Sequence, residues 1–147
     1  MKVKHLIVSL LFAAFLSSAI GVDNTLHIGK KAPKIETQEG INVVADANSE
    51  GKQMVVSFWS PKNPSSRIAN KNLSSQYGEK NQETIFISIC SDPDETLMKE
   101  VSKQDGLNAD ISYSFSQISS RVFKDYDVEN HPRAFLIGTD GKISQIF

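Results

Sequence analysis

The stretch Met54–Ser66, MVVSFWSPKNPSS, decides the fold, because it leads a buried strand through a short loop into a helix. Residues 54–59 are apolar and rich in β-branched and aromatic side chains, which is typical of a buried strand. Asn63 followed by Pro64 marks a helix start, since the amide can accept from free backbone N–H groups and proline has no N–H to leave unpaired. We expect this helix to continue to about Tyr77.

Further strands alternate with helices on both sides of this junction. The pattern predicts an exposed lead-in at 22–32, a short strand at 42–45, a buried strand at Thr84–Cys90, a helix capped by Asp92 with Pro93 inside it, a third helix over 118–126 capped by Ser114 or Ser116, a strand at 133–137, and a hairpin turn at 139–142 before a last strand at 143–147. Parallel strands joined by helical crossovers need helices on both faces of the sheet. The predicted fold is therefore α/β, a three-layer sandwich with one mixed sheet flanked by helices.

The first 21 residues have the layout of a secretory signal peptide. Lys2 and Lys4 make a basic start, residues 6–16 form an apolar run, and small residues follow. The alternative is an N-terminal membrane anchor, although the run is short for a span. We expect residues 1–21 to be removed, residues 22–147 to form one domain, and the protein to be exported to the periplasm or cell envelope. It would then meet the membrane only transiently, through the signal peptide.

Three segments, in this order, resemble the thioredoxin superfamily. They are the strand ending in Phe58-Trp59 with its proline-containing helix start, Tyr126-Asp127-Val128 before a proline and the strand at 134–137, and the hairpin 140–143. The chain is most similar to exported thiol-disulfide oxidoreductases of the cytochrome-maturation type and to redoxin domains of the AhpC/TSA type. The resemblance covers about residues 28–147. It implies a further helix after the final hairpin, so we expect one face of the sheet to be partly uncovered.

In this family the strand–helix junction carries Cys-x-x-Cys, which the resemblance places at Asn63, Pro64, Ser65 and Ser66. The first sulfur is a thiolate stabilised at the helix start, and the second resolves the mixed disulfide. An amide and a hydroxyl do neither, so we expect no dithiol–disulfide exchange and no cofactor. The single cysteine, Cys90, ends a buried strand. It is either a small core residue or a free thiol that pairs between molecules.

The resemblance also makes Pro132 the family's cis-proline, with the backbone of His131 available to an extended peptide. The predicted binding surface comprises Trp59, Asn63, Ser66, His131 and Pro132, and its partner is an extended peptide or an envelope protein. Alternatively, Pro132 only shapes the core. A hydrolytic pair of His131 with Ser65 or Ser66 is a weaker hypothesis.

Charge and histidine placement narrow the function further. A formal net charge of -1 gives no reason to expect nucleic acid as a partner. The histidines, at 5, 27 and 131, have no metal-ligand spacing. Three functions remain: a redox-inactive peptide-binding or scaffolding module, a redox protein acting through Cys90, and a truncated inactive domain.

Overall fold

A computed structural model describes residues 25–78, 82–107, 109 and 111–147, so the predicted signal peptide at 1–21 lies outside the described residues. The elements in chain order are α1 (Val43–Ser49), β1 (Gln53–Trp59), α2 (Pro64–Tyr77), β2 (Thr84–Cys90), α3 (Glu95–Asp105), β3 (Ile111–Tyr113), a short 3₁₀ helix (Phe115–Gln117), α4 (Ser120–Asp125), β4 (Ala134–Ile137) and β5 (Ile143–Ile146). None of the described helices is both long and apolar enough to cross a membrane.

The five strands form one mixed sheet in the order β3-β2-β1-β4-β5. β1 runs parallel to β2, and β2 parallel to β3, whereas β4 is antiparallel to both β1 and β5. The register pairs Trp59 with Cys90 and Ser57 with Ala134. β1 is therefore the central strand, which explains why its predicted run is apolar on both faces.

Helices cover both faces of the sheet and give the predicted three layers. One face carries α1 and α4, and its cluster includes Val56, Phe58 and Phe135 from the strands. The other face carries α2 over Val55 and Phe86, and α3 beside the carboxyl ends of β1 and β2. Alternate side chains of β1 thus enter different layers, as the period of a strand requires.

The strand predicted at 42–45 is wrong, because this segment begins α1. Asn42 caps the helix, and its side chain accepts from the Ala45 N–H at 3.4 Å. Val43, Val44 and Ala47 are buried on one face, which is a helical spacing. The β-branched valines favoured a strand, but the asparagine before them is a helix cap.

The caps predicted for the next two helices are also wrong. Asp94, not Asp92, caps α3 by accepting from the Leu97 N–H at 3.0 Å, while Asp92 turns the chain just before it. The third helix is divided, because Ile118 is extended and forms a β-bridge with Thr37. Ser114 therefore caps only the 3₁₀ helix, and α4 begins separately.

An ion pair fastens α2 to the end of α3. Arg67 donates from Nε to Asp105 Oδ2 at 3.0 Å and from Nη2 to Oδ1 at 2.7 Å. The Arg67 hydrogen bond holds the pKa of the Asp105 carboxyl below its usual value. A carboxyl whose pKa is lower in the folded state stabilises the fold above the unfolded pKa, and this contribution is lost as the pH falls through the folded pKa.

We therefore expect Asp105→Asn to lower the urea midpoint at pH 7, with a difference from wild type that shrinks between about pH 5 and pH 2. Urea unfolding across this pH range measures it. Asp125→Asn is the matched control, because its partner Arg121 is 82% exposed and an exposed pair contributes little. A difference for Asp105→Asn that stays constant with pH would contradict the assignment.

Candidate functional site

The carboxyl end of β1 and the start of α2 form one wall of the candidate site. Asn63 is extended and caps α2, with its Oδ1 accepting from the Ser66 N–H at 2.8 Å. Pro64 occupies the first helical turn, as predicted. The N–H that a thiolate would use at this position is therefore already bound by an amide oxygen.

The buried Ser66 hydroxyl hydrogen-bonds to backbone groups of the loop before α2. Its Oγ accepts from the Ser60 N–H at 3.1 Å, and it donates toward the Asn63 carbonyl at 3.0 Å. This hydroxyl satisfies a backbone donor that the short loop would otherwise leave unpaired. Its role is to hold the loop in shape.

We expect Ser66→Ala to lower the free energy of unfolding by about 1–2 kcal/mol, because the Ser60 N–H loses its acceptor. Urea titration followed by circular dichroism measures the change. Ser65→Ala is the matched control: Ser65 is exposed, so its loss should cost less than about 0.5 kcal/mol. Equal effects of the two substitutions would show that the Ser66 hydroxyl does not support the loop.

A second ion pair ties this wall to α3. Lys62 Nζ lies 3.0 Å from Asp92 Oδ2, and the Asp92 side chain is only 9% exposed. Burial raises the pKa of the Asp92 carboxyl, but hydrogen bonds from the Asp94 N–H and from Lys62 outweigh it, so the pKa is lowered overall. The carboxylate stays charged at neutral pH and fixes the loops before α2 and α3 to each other.

The loop 127–133 forms the opposite wall. Asp127 has a φ of 51°, a left-handed conformation that aspartate tolerates better than most residues. Arg133 donates from Nη2 to Asp127 Oδ2 at 3.1 Å and to its carbonyl at 3.3 Å. This clamp folds the loop back so that His131 and Pro132 face α2.

The cis-proline expected at position 132 is not found, because the His131–Pro132 peptide bond is trans. The trans form is the more stable isomer of an X–Pro bond. The Asp127 turn and the Arg133 clamp bring the loop to α2 without a cis bond. The N–H and C=O groups of His131 have no hydrogen-bond partner among the described residues.

Between these walls lies a groove of about 350 Å³, which we call the α2 groove. Its lining comes from three parts of the chain: Ser57 and Phe58 of β1, Asn63, Ser65, Ser66 and Ala69 at the start of α2, and Asn130, His131, Pro132, Arg133 and Ala134 opposite, with Phe147 at one end. The structure thus brings Asn63, Ser66, His131 and Pro132 together. Asn130 and Arg133 were missed, because only the folded loop places them here, and Ala69 was missed although it lies in the second turn of α2.

Trp59 does not line the α2 groove, contrary to the predicted surface. Its side chain is fully buried with Cys90, Met98 and Val101 in the layer beneath α3. Trp59 packs toward β2 and α3, beside its strand partner Cys90, whereas the groove lies on the β4 side of β1, next to Ala134. Pro64 likewise faces a separate cleft with Arg67 and Ile68.

Cys90 is a core residue in this structure. It is 0% exposed, and its Sγ donates to the Asp92 carbonyl at 3.6 Å. Burial raises the pKa of the thiol to about 11, so at neutral pH the group is protonated. Because the thiolate is the nucleophile and this thiol is out of reach of solvent, the geometry does not favour redox chemistry at Cys90.

No other nucleophile is assembled at the groove. No hydrogen bond joins His131 to Ser65 or Ser66 among the described residues, and the Ser66 hydroxyl is engaged with backbone groups. Within the same part of the chain, no cluster of three His, Cys, Asp or Glu side chains is placed to hold a metal ion. The groove offers hydrogen-bonding groups and an apolar floor, which suit binding.

The strand order, the helix that starts at the carboxyl end of β1 and the proline loop opposite it define a thioredoxin-superfamily fold. The chain belongs to the AhpC/TSA family, which it matches over residues 28–146. None of the curated proteins compared with the chain matches it.

Solved structures of thiol-disulfide oxidoreductases share this fold. The C-terminal domain of one described as such from Bacteroides thetaiotaomicron is 28% identical with a TM-score of 0.63, covering 82% of this chain and 86% of that one. The thioredoxin domain of another from Bacteroides vulgatus is 20% identical, with a TM-score of 0.64 and coverage of 83% and 89%. A secreted disulfide oxidoreductase of Mycobacterium tuberculosis is 21% identical, with a TM-score of 0.58 and coverage of 79% and 82%.

Proposed function

We propose that this protein is an exported, redox-inactive thioredoxin-fold module that binds an extended segment of another protein in the α2 groove. The observation that carries the proposal is a preformed groove with Asn63 and Ser66 of the helix start on one wall. On the opposite wall lies the backbone of His131, whose N–H and C=O groups have no hydrogen-bond partner among the described residues. A chain lying in the groove can pair with that backbone as an added strand does.

The chemistry of the helix start supports loss of the family's exchange reaction. Dithiol–disulfide exchange needs an attacking thiolate and a resolving thiol. This sequence has one cysteine, and it is buried beneath α3. Main-chain recognition needs no sulfur, so binding can persist where catalysis has been lost.

The leader-like first 21 residues support export to the periplasm or cell envelope. One structural neighbour, from Mycobacterium tuberculosis, is itself described as secreted. Fusing residues 1–30 to a reporter that is active only after export tests this part of the proposal. Activity should disappear when Leu10 and Leu11 are replaced by lysine, because the apolar run is interrupted.

In the binding test, linear peptides displayed on phage are selected on the immobilised wild-type protein. The affinity of the enriched peptides is then measured with labelled copies by fluorescence anisotropy. We expect Ala69→Trp to weaken binding at least about tenfold, because a bulky ring at this exposed position fills the groove. Ser75→Trp, also exposed and on α2, is the matched control and should bind as wild type. Failure to enrich any peptide, or binding that Ala69→Trp leaves unchanged, would contradict the proposal.

An insulin-reduction assay tests the loss of exchange activity. Wild-type protein should not accelerate insulin precipitation by dithiothreitol. Acceleration that Cys90→Ser abolishes would instead assign a redox function to Cys90.

A further inference from the structure

We infer that the segment bound in the α2 groove is acidic and that its carboxylates enter a basic cleft beside the groove. This inference rests on the proposed function and names the class of partner. The basic cleft has a volume of about 600 Å³, and its cationic residues are Lys30, Arg121, Lys124 and Arg133. Nothing in the thiol chemistry of the fold requires a basic site at this place.

The cleft holds more positive than negative charge. Among the described residues, its lining contains four cationic side chains and two carboxylates, those of Asp125 and Asp127. Both carboxylates are already paired, Asp125 with Arg121 at 3.3 Å and Asp127 with Arg133 at 3.1 Å. Lys124 has no carboxylate partner in the part of the chain that the structure describes. The charge of Lys124 is therefore available to an anionic ligand.

The groove and the cleft have one lining residue in common, Arg133. Arg133 lines both, because it follows Pro132 in the groove wall and reaches back to Asp127 in the cleft. Its side chain is about one-third exposed, whereas its Nε is buried and has no hydrogen-bond partner among the described residues. An extended chain that pairs with His131 and continues past Pro132 would pass Arg133 and bring its next side chains to the cleft.

Charge complementarity selects an acidic chain over a basic or neutral one. No carboxylate lines the described part of the α2 groove, so an acidic segment meets no repulsion before it reaches the cleft. Opposite charges across an exposed interface favour the matching partner, and salt screens the effect. An exposed ion pair changes binding by up to about fivefold.

Disulfide tethering makes this preference measurable even for weak peptides. An Asn63→Cys variant places a thiol at the groove wall, whereas Cys90 is buried and does not compete. The variant is equilibrated in a buffer of reduced and oxidised glutathione with equal amounts of two peptides, so that thiol–disulfide exchange forms the adducts. Both have one cysteine in a threonine–valine core, and one ends in three glutamates where the other ends in three glutamines. The pair is tested with the tail at either terminus, and adducts are counted by intact mass.

We expect the glutamate peptide to be favoured about fivefold in low salt for one tail placement, with the preference reduced at high salt. Lys124→Glu in the same background should abolish or reverse it. Lys103→Glu is the matched control, because it makes the same charge change in the last turn of α3, away from the cleft, and should keep the preference.

Absence of a preference, or one that Lys124→Glu leaves unchanged, would overturn the inference. If cysteine-free peptides are selected in the groove but the glutamate and glutamine peptides form adducts equally, the result contradicts this inference and not the proposed function. Failure to select any cysteine-free peptide would contradict the proposed function instead.

Discussion

Replacing Asn63 and Ser66 together by cysteine is expected to create insulin reductase activity that the wild-type chain lacks. Asn63 caps α2 and Ser66 lies three residues later, with the Asn63 side chain reaching the Ser66 N–H at 2.8 Å. Two sulfurs at these positions are close enough to bridge. The first would lie at a helix start, where the free N–H groups and the helix dipole lower its pKa and make it nucleophilic.

The matched control puts the same pair at the start of α3. Asp94 caps that helix and accepts from the Leu97 N–H at 3.0 Å, so Asp94→Cys with Leu97→Cys has the same local geometry without the α2 groove beside it. Its activity should be at least about tenfold lower, because a substrate chain cannot be held there. The single variant Asn63→Cys should form mixed disulfides without turnover, since no second sulfur resolves them.

Equal activity of the two double variants would show that helix starts alone suffice and that the α2 groove binds no substrate chain. No activity in the Asn63→Cys, Ser66→Cys variant, despite a disulfide shown by mass, would contradict the placement of the family's motif at these residues. Either result bears directly on where the site lies.

The elements that could be predicted from sequence are those specified by neighbouring residues. α2 begins and ends where predicted, because Asn63 supplies its cap and Pro64 its first turn from neighbouring positions in the sequence. β2 agrees with its predicted bounds for a similar reason, as a short apolar run without competing signals. The resemblance to the thioredoxin superfamily is confirmed by the family match and by the sheet.

The elements that could not be predicted depend on contacts between distant residues. Ile118 lies within a helical pattern, but its bridge to Thr37, far away in sequence, draws it into extended backbone. β3 is short and only partly buried, so it leaves little periodic signal, yet pairing with β2 stabilises it. Local preference is a weak determinant where a sheet edge offers hydrogen bonds.

The candidate site shows the same division. Asn63 and Ser66 could be placed at the helix start from local signals, and the resemblance supplied His131 and Pro132. The contribution of Arg133 depends on its contact with Asp127, which no local motif specifies. Trp59 was misplaced because its contacts with Cys90 on β2 and with α3, which are distant in sequence, bury it away from the groove.

Phe58→Ala is expected to lower the free energy of unfolding by about 3–5 kcal/mol. Phe58 is 1% exposed at the centre of the sheet, and its ring contacts those of Tyr126, Phe123 and Phe135 at centroid distances of 5.1, 6.1 and 6.2 Å. Truncation removes buried apolar surface, leaves a cavity and breaks three aromatic contacts at once. Because the free energy of unfolding of small domains is only about 5–15 kcal/mol, the expected loss is a large part of the total stability.

Urea unfolding measures the effect, and Phe147→Ala is the matched control. Phe147 is 40% exposed and contacts only Tyr77, at 6.4 Å, among the described rings, so its loss should cost less than about 1.5 kcal/mol. A similar loss for both variants would contradict the view that Phe58 organises the core. The consequence reaches the site, because Phe58 also belongs to the lining of the α2 groove. Loss of its core contacts should loosen β1 beside the groove, and peptide affinity should therefore fall with stability in Phe58→Ala but not in Ser75→Trp.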